Sequence, residues 1–182
     1  ALGQALTFAH SNGVLHLDIK PANVLIDHSG NVKLTDFGMA RLSSAGGFGG
    51  SRGGTIGYMP PEQLDIEIGT VDERADVFAL ACVIYEGLCG SAPFTAATPA
   101  DSLDRIIGGA TYPSELIPHF SPGAEAALMS ALSPMPQDRP NSIEAFCDQL
   151  LAGLGSVREG RRSLEQMVGE LSDDEQELDS IE

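Results

Sequence analysis

The sequence predicts a mainly α-helical domain that carries one small β-hairpin. Apolar residues at helical spacing recur in segments spread from residue 2 to residue 151. One segment, Ala75 to Leu88, is apolar nearly all round, as a helix at the centre of a helical body must be. The β-rich runs, by contrast, are short and confined to residues 14–35.

In chain order, Leu2, Leu6 and Ala9 predict a helix over 2–12, stopped by Gly13. Val14–His16, Val24–Ile26 and Val32–Thr35 read as strands. The last two are joined by Asp27-His28-Ser29-Gly30, whose side chains suit a tight turn. Residues 43–54 hold so many glycines that they predict a mobile loop, and they lack the GxGxxG spacing of a phosphate cradle. After the apolar helix, further helices are predicted at 99–107, at 122–132 behind Pro122, and at 141–151, where Asn141 and Glu144 resemble a capping box. Beyond Gly155, Leu164, Met167, Val168 and Leu171 keep helical spacing before an acidic end, so 153–182 reads as a tail, weakly helical and then disordered.

The chain is long enough for one moderate core, and its hydrophobic fraction is that of a folded protein. A net charge of −16 excludes a generic nucleic-acid or anionic-membrane binder, because both surfaces require cations. Half of that charge comes from the eight carboxylates of residues 165–182, which contain no Lys or Arg. Cys82, Cys89 and Cys147 are odd in number and lack metal-ligand spacing, which points to a reducing, cytoplasmic setting. The longest apolar run, Val77 to Tyr85, is too short to span a bilayer.

Chemistry concentrates in His16-Leu17-Asp18-Ile19-Lys20-Pro21-Ala22-Asn23 and, one hairpin later, Asp36-Phe37-Gly38. The first run offers a base (Asp18), a cation (Lys20) and an amide oxygen (Asn23) on one tight loop, and the hairpin returns a second carboxylate, Asp36, beside them. Phosphoryl transfer to a hydroxyl needs these parts: a carboxylate to orient the hydroxyl and take its proton, oxygen ligands for Mg²⁺, and a cation against the developing charge. Taken singly, Asp18 could cap a turn, Asn23 could form an Asx-turn and His16 could be a packed core histidine.

The string HxDxKPxN followed by DFG resembles the catalytic and metal-binding loops of eukaryotic-type (Hanks-type) serine/threonine protein kinases. Gly54-Thr55-Ile56-Gly57-Tyr58-Met59-Pro60-Pro61-Glu62 is similar to the end of a kinase activation segment, with Pro60 where that family usually has Ala, and looks most like bacterial members. The resemblance implies a protein-kinase-like fold with only its helical C-terminal lobe in residues 1–152, ATP and Mg²⁺ as cofactors, and a protein substrate. It implies that Asp18 is the base, that Lys20 meets the γ-phosphate, that Asn23 and Asp36 hold Mg²⁺, and that Thr55 shapes the substrate site. His16, Phe37 and Gly38 would support the loops, Glu62 would pair with Arg139, and Asp76 would anchor the catalytic loop's backbone, although helix capping would also explain Asp76.

The Arg that usually precedes the base is Leu17 here, so phosphorylation of Ser43, Ser44 or Ser51 is not expected to order the loop by charge pairing. The resemblance further implies that the small β-rich lobe, with its glycine-rich loop and ATP-anchoring Lys, lies upstream of Ala1. This chain alone is then expected to bind ATP and catalyse poorly. The runner-up reading is a non-catalytic half-kinase or pseudokinase interaction module, which degraded motifs would favour. A small-molecule phosphotransferase shares the HxDxxxxN loop but would not bring DFG, Thr55 with the Pro-Pro-Glu turn, and Arg139 together.

Overall fold

The structure is a computed structural model that describes residues 1–37, 41–42, 56–65 and 67–154. Its central element is the apolar segment, which forms a 17-residue helix, Glu73–Cys89. Asp72 caps it by accepting from the Arg74 N–H at 2.8 Å, and Gly90, at φ 78°, ends it in the left-handed conformation that glycine adopts without penalty. Every residue from Ala75 to Cys82 is buried, which is why the sequence shows no polar face there.

Numbered in chain order, this helix is α3. It is preceded by α1 (Leu2–Ser11) and the single turn α2 (Pro61–Leu64), and followed by α4 (Pro99–Gly108), α5 (Pro113–Leu116), α6 (Pro122–Ala131) and α7 (Ile143–Leu154). α7 packs along α6 and across α1 and α3. The core between them is built on Leu6, Phe78, Leu80, Leu128, Ile143 and Phe146. Burying each such side chain contributes roughly 1.5–3 kcal/mol.

Four helices begin with Pro in the first turn, where its missing N–H costs nothing. Thr98 and Ser121 accept the first amide bonds of α4 and α6. The start of α7 differs from the expected capping box at Asn141. Ser142 Oγ accepts from Ala145 N–H at 3.1 Å, so the helix begins one residue later and Glu144 no longer stands at the position that closes a box.

The β structure is larger than the one hairpin expected. The strands β1 (Val14–Leu15), β2 (Val24–Ile26), β3 (Val32–Leu34) and β4 (Arg41–Leu42) form two antiparallel two-stranded sheets, β1 with β4 and β2 with β3. In the β2–β3 turn, Asp27 Oδ1 accepts from the Ser29 and Asn31 N–H groups at 3.0 and 2.9 Å, and Gly30 supplies φ 69°. These bonds, with the Asn31 side chain, hold the Asp27 carboxyl at about 2, below its ordinary range. The tail beyond Leu154 and the glycine-rich run 43–54 lie outside the described residues.

The α6–α7 contact leaves no room for a side chain at Gly153: an added Cβ would stand 2.5 Å from the Ala124 backbone nitrogen. A glycine-to-alanine change inside a helix ordinarily stabilises it by up to about 1 kcal/mol. Here overpacking against backbone costs about 1–3 kcal/mol and reverses the sign. Gly153→Ala should therefore lower the urea midpoint of unfolding, and a raised midpoint would refute the close packing of these helices.

Candidate active site

Alternation explains how the loop after β1 presents its polar groups. Ile19 is buried in the core while its neighbours Asp18 and Lys20 emerge on the opposite side of an extended segment, Lys20 having φ −158° and ψ 161°. Lys20 Nζ stands 2.8 Å from Asp18 Oδ2. A 3₁₀ turn, Pro21–Asn23, then folds Asn23 back, where its Nδ2 donates to the Asp18 carbonyl at 2.8 Å and to Asp18 Oδ2 at 3.2 Å. Carboxylate, ammonium and amide are thus linked within six residues.

The loop is held from below by α3. Asp76 lies in the first turn of the helix and is wholly buried; the cap is Asp72. Its carboxylate accepts from His16 N–H (2.8 Å), Leu17 N–H (2.8 Å) and His10 Nε2 (2.7 Å). His16, fully buried, bridges the two loops: its Nε2 lies 3.3 Å from the Thr35 carbonyl and its Nδ1 3.3 Å from Asp18 N–H. Both contacts are satisfied when Nε2 carries the proton and Nδ1 accepts. The His16 ring also meets the Phe37 ring at 4.5 Å.

Asp36 is bracketed by two fixed neighbours. Thr35 bonds the Asn23 carbonyl through both N–H (2.9 Å) and Oγ1 (3.2 Å), and Phe37 rests on His16. Asp36 itself has φ 61°, a conformation that Asp tolerates better than most residues. Leu17, in the place of the family's arginine, has φ 63° and buries its side chain against Leu15, Ala75 and Val71. Gly38, Thr55, Ser43, Ser44 and Ser51 fall outside the described residues.

Glu62 and Arg139 form a two-pronged pair, Nη1–Oε1 at 2.7 Å and Nη2–Oε2 at 2.9 Å, with both side chains wholly buried. Arg139 also donates to the carbonyls of Ser133, Pro134 and Arg74 and lies 4.8 Å from the Phe78 ring centre. The pair fixes α2 against the helical body.

For a divalent cation, the donor types fit Mg²⁺, which prefers oxygen and takes few protein ligands when phosphates supply the rest. Both bonds of the Asn23 side chain use Nδ2, so its Oδ1 is the atom that could serve as an oxygen ligand. Among the described residues no group of three or more His, Cys, Asp or Glu could hold an ion by itself. The thiols offer no competing nucleophile: burial pushes Cys82, Cys89 and Cys147 up from the ordinary thiol range.

Sequence reasoning missed three participants: His10, Thr35 and Gln63, whose Nε2 donates to the Leu17 carbonyl at 3.3 Å. The one available signal was for His10, which follows buried Leu6 by four residues on the same helical stripe.

The chain belongs to the protein kinase family: the protein kinase domain matches residues 1–154. Its similar relatives are bacterial serine/threonine-protein kinases. It is 36% identical over 163 residues to PknB of Mycolicibacterium smegmatis, covering 87% of this chain and 25% of that protein. It is 37% identical over 141 residues to PknB of Mycobacterium tuberculosis (75% and 22%) and 38% identical over 146 residues to PknD of the same species (76% and 21%). The chain spans about a quarter of the length of these curated relatives. No helix among the described residues is long and apolar enough to cross a membrane.

Removing the guanidinium would leave Glu62 buried without its partner and take the Arg139 bonds from the Ser133 and Pro134 carbonyls. Arg139→Met should therefore lower unfolding free energy by about 3–5 kcal/mol. The double variant Glu62→Leu/Arg139→Met should regain only part of that, because the Ser133 and Pro134 carbonyls still lack the arginine's bonds. Equal denaturation midpoints for Arg139→Met and the wild type would contradict the buried pair.

Proposed function

We propose that this chain supplies the catalytic lobe for ATP-dependent phosphoryl transfer to serine or threonine hydroxyls of a protein substrate. The observation that carries this reading is the linked set Asp18, Lys20 and Asn23 on one loop, with Asp36 bracketed beside it. Lys20 and Asn23 both hold Asp18 through Oδ2, so Oδ1 is the oxygen left to orient the incoming hydroxyl and take its proton. Lys20, 2.8 Å from that carboxylate, can meet the transferred group from the same side as the nucleophile and offset its charge. Asn23 Oδ1 and Asp36 would hold Mg²⁺, whose bound charge neutralises the phosphates.

The clamp on the α- and β-phosphates comes, in this reading, from a β-rich lobe outside residues 1–182. Support comes from apolar side chains left in solvent on α1, β2 and beside the catalytic loop: Phe8 is 73% exposed, and Leu25, Ile26 and Phe37 are exposed as well.

Two variants of the full-length protein test the roles. Asp18→Asn should lower phosphoryl transfer to a protein substrate by about 10²–10⁴-fold without moving the thermal midpoint, and full activity would remove Asp18 from the role of base. Asp36→Ala should abolish the Mg²⁺ dependence of nucleotide binding, and affinity with an unchanged Mg²⁺ response would take it out of the metal site. If the wild-type full-length protein transfers no phosphate to any Ser/Thr substrate, the enzyme reading fails and a docking role replaces it.

A further inference from the structure

The placement of Asp18 turns on the residue before it. Leu17 has φ 63°, in the left-handed region that costs a bulky L-residue roughly 1–2 kcal/mol, so its surroundings must hold it there. Its N–H is held by Asp76 Oδ1 at 2.8 Å and its side chain by Leu15, Ala75 and Val71. What remains is its carbonyl, which belongs to the peptide plane leading directly into Asp18. That oxygen accepts from Gln63 Nε2 at 3.3 Å, across 46 residues of sequence. The amide must face it with nitrogen, since Oε1 in that place would set two acceptors against each other. Gln63 is half-buried on α2, directly after Glu62, whose buried pair with Arg139 anchors that turn.

We infer that Gln63 is a positioning residue for Asp18: by holding the Leu17 carbonyl it sets the rotation of the Leu17–Asp18 peptide plane, and so the direction in which the carboxylate leaves the loop. The inference rests on the reading of Asp18 as the base. It also makes α2, the turn that closes the run between Asp36 and Pro60, mechanically coupled to the base through one hydrogen bond. The Gln63 amide is engaged with backbone and is assigned no contact with nucleotide, so its loss acts on turnover and not on ATP affinity.

Gln63→Met keeps length and apolar stem while deleting the donor, and Gln63→Glu turns only acceptors toward the carbonyl. In the full-length protein, Gln63→Met should speed backbone amide exchange at Leu17 and Asp18 by about tenfold and lower kcat by about tenfold, with KM for ATP and the thermal midpoint unchanged. Gln63→Glu should lower kcat further. Unchanged exchange at these amides in Gln63→Met overturns the inference, as does faster exchange with unchanged kcat, or a loss that appears only in KM for ATP. Full activity of Asp18→Asn would instead strike the assignment of the base and leave the exchange result standing, so the two failures are separable.

Discussion

Everything at this site hangs from one carboxylate. Asp76 is wholly buried within the first turn of the central helix, where an uncompensated charge would cost several kcal/mol. Three donors compensate it, two of them the backbone N–H groups of His16 and Leu17 and the third the His10 imidazole. The loop therefore cannot shift without stripping partners from a buried charge. The rigidity of the hydrophobic interior is passed to Asp18 from both sides, through His16 and Leu17 before it and the buried Ile19 after it.

A second buried charge does similar work at the other side. Arg139 meets Glu62 with two parallel bonds and satisfies three carbonyls besides, a geometry only a guanidinium fork can provide. It ties α2 to the turn before α7, and Gln63 extends that tie to the catalytic loop. His16 contributes the third connection, since its two ring nitrogens face Asp18 and Thr35 on successive loops. The polar groups presented by the candidate site are thus few, and the buried polar groups behind them are nearly as many.

Where the information was local, the sequence was readable. Apolar spacing marked α1, α3, α4, α6 and α7, and Asp27 with Gly30 marked the β2–β3 turn, because period and turn chemistry are written in adjacent residues. The grouping of Asp18, Lys20 and Asn23 was readable for the same reason, since the three stand within six residues of one another. β4 was not legible: two residues carry no alternation, and its pairing with β1 is a long-range event. The single turns α2 and α5 are too short for a helical period to register. The shift of the α7 cap from Asn141 to Ser142 turns on which of two neighbouring polar side chains reaches the third amide. The left-handed backbone of Leu17 and the roles of His10 and Gln63 depend on partners tens of residues away, which no local pattern encodes.

The burial of Leu17 has a consequence for the conditions under which the loop keeps its shape. Charge pairs near a surface weaken as salt rises, since ions screen them within about 10 Å at 0.1 M. An apolar side chain packed on Leu15, Ala75 and Val71 is indifferent to that screening, and its hold fades instead on cooling, as apolar hydration becomes less unfavourable. The segment that aims the carboxylate is therefore governed by temperature more than by ionic strength, the reverse of a loop ordered by an arginine and a phosphate.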